Sequence, residues 1–146
     1  MRVAWHGPRP KPESGLPFHA DLLSLARESD VLVACCAGGA ATRHLIDARV
    51  LEALGPQGVL VNVARGSVVD TGALVAALES GALAGAALDV FESQPQVPEA
   101  LLRCGRVLLT PHLGTATRET RARMGEMVLA SLADHFAGRE LAHRVD

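Results

Sequence analysis

Three apolar runs in this chain break off at residues that can do chemistry. Val61-Asn62-Val63-Ala64 leads into Arg65-Gly66, Leu88 into Asp89-Val90-Phe91, and Thr110-Pro111 into His112-Leu113-Gly114. A parallel sheet reads this way when its carboxyl edge forms an active site. A guanidinium, a carboxylate and an imidazole on one rim can bind an anion and move a proton. The set is far more specific than its parts. Alone, an arginine after a strand is usually a surface ion-pair former, Pro-His opens a loop, and an aspartate can cap a turn.

The elements that must position these residues alternate along the chain. Residues 2–6 are expected as a short strand, followed by an irregular loop marked by Pro8, Pro10, Pro12 and Pro17. A helix is expected over 20–29, with Leu22, Leu23 and Leu25 on one side, then a continuous buried strand over 31–36. Asp47 can cap a helix over 48–54, which Gly55-Pro56 stops. After a strand over 59–64, Asp70 can cap a helix over 71–80, ended by Gly81. Strands over 86–90 and 106–110 follow. The last helix is expected over 117–137, with Met124, Val128 and Leu132 inward and Arg118, Arg121 and Glu126 toward water. Strand and helix in alternation with short connections predict an α/β fold: a parallel sheet with flanking helices and right-handed crossovers.

With 146 residues, 49% of them hydrophobic, the chain can bury one core. Aromatics make up only 3%, so Ala, Val, Leu and Gly must fill it. A net charge of −2 gives no reason to expect nucleic acid or an anionic membrane. No segment is long and apolar enough to span a bilayer, and the first residues lack a signal-peptide core. Cys35, Cys36 and Cys104 have no metal-binding spacing and are expected as free thiols, Cys35 and Cys36 buried at a strand end. A reducing cytoplasm fits them.

A dinucleotide-binding sheet opens with a strand, then G-x-G-x-x-G, then a helix whose N-terminus holds the pyrophosphate. These residues contain no such motif, and Gly38-Gly39-Ala40-Ala41 has the wrong spacing. Residues 2–6 resemble the second strand of that fold instead. An acid normally holds the ribose 2′-hydroxyl at its end. Here the sequence is His6-Gly7-Pro8-Arg9-Pro10-Lys11. Arg9 and Lys11 would attract a 2′-phosphate, so NADP(H) is favoured, with NAD(H) the alternative. The fold expected is therefore a partial Rossmann-like sheet over 1–146 that lacks the first βα unit and leaves no residues for a second domain. Without a central first strand the sheet must re-pair, borrow a strand or keep unpaired edges, and the chain alone is expected to be poorly stable.

Asn62-Val63-Ala64-Arg65-Gly66-Ser67-Val68-Val69-Asp70, Gly85-Ala86-Ala87-Leu88-Asp89-Val90-Phe91 and Pro111-His112-Leu113-Gly114, with Thr117 and Glu119-Thr120-Arg121 behind, resemble the D-isomer-specific 2-hydroxyacid dehydrogenases. Within them the likeness is greatest to the glyoxylate/hydroxypyruvate reductase branch. His44-Leu45-Ile46-Asp47 and Leu54-Gly55-Pro56 match as well, so the resemblance covers nearly the whole chain.

The resemblance implies roles. His112 would be the general acid/base that protonates the carbonyl oxygen during hydride delivery. Arg65 would grip the substrate carboxylate and polarise the carbonyl. Asp89 would hold the nicotinamide carboxamide. Ala37 and Thr42 would line the adenosine side, and Val63, Ala64 and Gly114 would lie beside the cofactor. Gln94 stands where most of the family has a glutamate that pairs with the histidine. A carboxylate stabilises imidazolium, whereas an amide can only orient the ring. The formate dehydrogenases of the same superfamily use a Gln–His pair, so the substitution leaves catalysis open. Glu92, two residues away, is expected to point elsewhere. His6, His19, His44, His135 and His143 are expected as solvent or packing residues.

The implied activity is oxidation–reduction at a CH–OH group, reducing small 2-oxo acids such as glyoxylate or hydroxypyruvate. A small 2-oxo or 2-hydroxy acid is the expected partner, with a homodimer possible and neither nucleic acid nor membrane involved. This fragment alone is expected to be nearly inactive. A non-catalytic remnant or binding partner is the alternative of another class. A formate-dehydrogenase-like activity, motivated only by Gln94, is the weaker one.

Overall fold

The computed structural model describes residues 1–142. The chain divides into two compact units, Met1–Pro111 and a second that begins at His112.

The first unit is built on four parallel strands in the order β1 (Val31–Ala34), β2 (Val59–Asn62), β3 (Gly85–Leu88) and β4 (Val107–Leu109). Helix α1 (Leu22–Arg27) precedes β1, α2 (Ala48–Leu54) and α3 (Thr71–Ser80) follow β1 and β2, and the short α4 (Glu99–Arg103) lies before β4. Their starts follow from side-chain caps. Asp21, Asp47 and Asp70 accept hydrogen bonds from the backbone N–H of Ser24, Val50 and Ala73, each at 3.0 Å. Each cap satisfies a donor that the helix itself cannot, which contributes about 1 kcal/mol.

Alternation along the strands decides where the core sits. Leu32, Ala34, Leu60, Asn62, Ala86 and Leu88 are buried. The apolar members of this set join one cluster with Leu25, Ala26, Val50, Leu51, Leu54, Leu74 and Leu78 from the three helices. Each leucine fully buried there contributes roughly 1.5–3 kcal/mol. The intervening residues belong to the opposite face, half-buried in β2 and β3 and open at the edges of the sheet, where Val31 is 47% exposed, Val33 51% and Leu108 65%. The run 31–36 is therefore not continuously buried, because helices cover only one side of β1.

Other expectations change for related reasons. Residues 2–6 form no strand. Only Trp5 makes an isolated parallel bridge, to Phe18. Its N–H donates to the Pro17 carbonyl at 3.0 Å, and the two rings lie 4.9 Å apart. Among the described residues β1 pairs only with β2, so its other edge is free. The sheet keeps β1 at its edge and does not draw 2–6 into it. Cys35 is exposed and Cys36 half-buried, rather than both buried, because they lie past the helix-covered stretch. All three cysteines are free thiols.

The second unit contains α5 (Arg118–Phe136), capped by Thr117, whose Oγ1 accepts from Thr120 N–H at 3.1 Å. Its length matches expectation, but its packing does not. Met124, Val128 and Leu132 share a face as expected, yet no residue of α5 is buried. No helix among the described residues is long and apolar enough to cross a membrane. His143 falls outside the described residues.

Candidate active site

Asn62 is the residue that builds the arginine-bearing turn. It is fully buried at the end of β2. Its Oδ1 accepts from the Ala64 N–H at 3.0 Å, and its Nδ2 donates to the Arg65 carbonyl at 3.2 Å. The amide thus closes both sides of a turn over Val63 and Ala64. Leaving such a buried group unpaired would cost about 1–3 kcal/mol. Sequence reasoning passed over Asn62, although one polar residue inside an apolar run was a visible signal.

Arg65 emerges from this turn at a cleft of about 400 Å³, lined by Cys35, Cys36, Ala37, Gly38, Val63 and Ala64. Its aliphatic stem lies across Gly38, where an added Cβ would come within 2.5 Å of Arg65 Cγ. Gly38 is therefore needed for the close approach of the Arg65 stem. The Arg65 Nη1 donates to the Ala64 carbonyl at 2.7 Å. Burial pushes the Cys36 thiol up from its ordinary value, and the neighbouring Cys35 adds to this.

Val63 also lines a second, smaller cavity of about 70 Å³ with Asp89 and Thr110. Here the Thr110 hydroxyl donates to Asp89 Oδ1. The Asp89 N–H donates to the Asn62 carbonyl at 3.0 Å, extending the β2–β3 pairing past the strand ends. Ala37, Val63, Ala64, Arg65 and Asp89 are thus gathered at the carboxyl ends of three neighbouring strands. Thr42 lies on the loop beyond Ala37, its hydroxyl bonded to the Ala37 carbonyl at 2.8 Å. It fixes that loop without lining the cleft.

Arg9 and Lys11 are exposed and line neither cavity. Lys11 Nζ stands 6.0 Å from the centre of the Trp5 ring. Gln94 is exposed on the loop after β3, its N–H directed at the Phe91 carbonyl at 3.4 Å. His112 and Gly114 belong to the second unit, where His112 is exposed and has a left-handed backbone (φ 58°).

Two residues change their reading. His44, expected as a solvent or packing residue, bonds Glu92 Oε1 through Nε2 at 2.8 Å. Glu92, expected only to point elsewhere, is also paired with Arg43 at 3.1 Å. The bond from His44, with the charges of His44 and Arg43, holds the Glu92 carboxyl below the usual carboxylate range.

The model of the D-isomer specific 2-hydroxyacid dehydrogenase NAD-binding domain matches residues 1–114. Glyoxylate/hydroxypyruvate reductase A of Arabidopsis thaliana is 45% identical over 131 residues, which is 90% of this chain and 42% of that protein. The 2-ketogluconate reductase of Gluconobacter oxydans is 41% identical over 141 residues, 97% of this chain and 46% of that one. Among solved structures, the NADPH-dependent glyoxylate/hydroxypyruvate reductase of Sinorhizobium meliloti in complex with NADP and malonate superposes with a TM-score of 0.95. It is 43% identical across 99% of this chain and 46% of its own. The chain thus spans less than half the length of the relatives it matches. The matched sheet, the turn that presents Arg65 and the extent of the family match together show that this chain belongs to the D-isomer-specific 2-hydroxyacid dehydrogenases.

Proposed function

We propose that this chain carries the cofactor side of an oxidoreductase that reduces small 2-oxo acids, such as glyoxylate or hydroxypyruvate, to 2-hydroxy acids. The observation that carries the reading is the Arg65 turn. A buried amide fixes the arginine's backbone, and its stem lies across Gly38 at the mouth of a 400 Å³ cleft. A guanidinium on a backbone and stem held this way would bind a carboxylate at the cleft. Small residues around it (Ala37, Gly38, Ala64) leave room for a dinucleotide. A nicotinamide cofactor would supply the hydride. Asp89, with its Thr110 partner, would hold the carboxamide, and Val63 and Gly114 would border the ring. Thr42 would shape the adenosine side through Ala37. His112 would give the carbonyl oxygen its proton, and Gln94 would orient that histidine.

NADP(H) is the preferred form in this reading, supported by Arg9 and Lys11 standing exposed where an acid would hold a 2′-hydroxyl. The free cysteines agree with a cytoplasmic protein, and the family resemblance adds a homodimer. By themselves these 146 residues should turn over slowly, since they hold no G-x-G-x-x-G loop.

The test is an assay of the protein isolated from its own cell, following NADPH and NADH consumption with glyoxylate, hydroxypyruvate and, in reverse, formate. Turnover of the 2-oxo acids with an NADPH preference is expected. An Arg9→Ala/Lys11→Ala variant should lose that preference by about tenfold or more, the worth of two charge-assisted contacts. Formate oxidation, or cofactor binding without turnover, would overturn the reductase reading.

Gln94 gives a second test. Gln94→Glu would restore the family's carboxylate, which stabilises a protonated imidazole. The basic limb of the pH–rate profile should therefore move upward. An unmoved limb would mean that position 94 does not address the histidine.

A further inference from the structure

The loops after β1, β2 and β3 meet around Glu92, whose carboxylate is held from the first of them. From the β1–α2 connection come Arg43 and His44, at 3.1 and 2.8 Å. Asp70, the cap of α3, faces the other side of the same imidazole, its Oδ2 3.8 Å from His44 Nδ1. From the loop after β2 comes Gly66, packed so closely that an added Cβ would lie 2.0 Å from the Phe91 carbonyl and 2.3 Å from the Glu92 nitrogen.

The backbone around His44 is joined to the arginine loop as well. The His44 N–H donates to the Ser67 carbonyl at 2.8 Å, and the Ile46 N–H to the Val68 carbonyl at 3.0 Å. Asp70 N–H returns to the Ile46 carbonyl at 3.0 Å. His44 has a left-handed backbone (φ 49°), a conformation that side-chain residues keep only where their surroundings hold them. The side chain thereby held is the one that reaches Glu92, 48 residues away in sequence.

We propose that His44 is a positioning residue. Its bond to Glu92 presses the Phe91–Glu92 backbone onto Gly66 and so fixes the loop that aims Arg65 into the cleft. The proposal rests on the reductase reading only for its catalytic consequence, namely that a loosened Arg65 holds a substrate carboxylate less well. The mechanical part stands on geometry alone. The lowered titration of Glu92 agrees with it, since the ionised carboxylate is the form His44 and Arg43 hold.

The experiment compares His44→Gly, His44→Gln and Glu92→Ala in the protein isolated at its natural length. Glycine keeps the left-handed backbone and removes the ring. Glutamine keeps a donor of similar reach. In His44→Gly, amide hydrogen exchange of residues 65–68 and 91–96 should speed up by about tenfold or more, while the amides of α3 stay unchanged. Glu92→Ala, which also frees Arg43, should speed it at least as much, and the double variant no more than Glu92→Ala alone, because the bond between the two residues is then already lost. His44→Gln should restore slow exchange. In turnover, the KM for glyoxylate should rise about fivefold or more, with kcat and the KM for NADPH held, the pattern of lost ground-state binding. Unchanged exchange in both loops, or loosening that spreads through α3 equally, would overturn the proposal. If the unaltered protein shows no reductase activity, the proposed function fails and the exchange measurements alone decide the role of His44.

Discussion

His112→Asn should lower the turnover of glyoxylate by about 100- to 10,000-fold, the range a positioned general acid supplies. Asparagine is the informative replacement because of the backbone. His112 sits at φ 58°, in the left-handed region where asparagine is among the few residues tolerated. Alanine would mix backbone strain with the loss of the imidazole, whereas asparagine removes only the ring. The side chain is exposed, so its replacement leaves no cavity and the melting temperature should hold. NADPH affinity should be unchanged, since proton donation is felt in the transition state rather than in cofactor binding. A kcat within tenfold of the unaltered protein would remove His112 from the role of proton donor.

Gly66→Ala should produce the largest loss of stability among the single-methyl changes discussed. The new Cβ would lie 2.0 Å from the carbonyl carbon and oxygen of Phe91. Ordinary contact begins well above 3 Å, and the obstacle here is backbone rather than a flexible side-chain tip. One of two loops must move, and both serve the cleft. A cost on the order of 3 kcal/mol follows from overpacking at a site that cannot relax. In urea the midpoint should fall accordingly, with the slope unchanged. Gly125 supplies the control. It lies inside α5 with nothing within 4 Å of an added Cβ, so Gly125→Ala should be neutral or stabilise by up to about 1 kcal/mol. Equal melts for the two variants would contradict this account.

What could be read in the sequence follows from how local each signal is. Asp47 and Asp70 cap their helices as their positions promised, because a cap needs only the next three residues, and Thr117, expected as the first residue of the last helix, proves to be its cap. The four strands appear where apolar runs placed them, each shorter by one or more residues, because pairing ends where the neighbouring strand ends. Helix α4 escaped notice: it has five residues, follows Pro98 and is too short to show periodicity. Residues 2–6 have a strand-like composition but no sheet partner among the described residues, and composition cannot supply one. Exposure of Cys35 and of Val31 and Val33 was equally hidden, since an apolar run does not say how many faces are covered.

The candidate site divides along the same line. Arg65 and Asp89 stood out as interruptions of apolar runs, and Asn62 would have by the same rule. The His44–Glu92 bond could not stand out, because only the crossing of two distant loops creates it. Gly38 and Gly66 look alike in sequence, yet each is required by a different neighbour that only the fold supplies.

The alternation along β1, β2 and β3 also governs how this protein can change over time. Leu32, Leu60, Ala86 and Leu88 answer to the helices, and any change there is felt through the packed interior. Their immediate neighbours lie outside that interior, half-buried or exposed on the opposite face. Two constraints are therefore written in alternate letters of the same strands. Selection on one set can proceed while the other stands still, so a lineage can redesign what meets the open face without renegotiating its own folding.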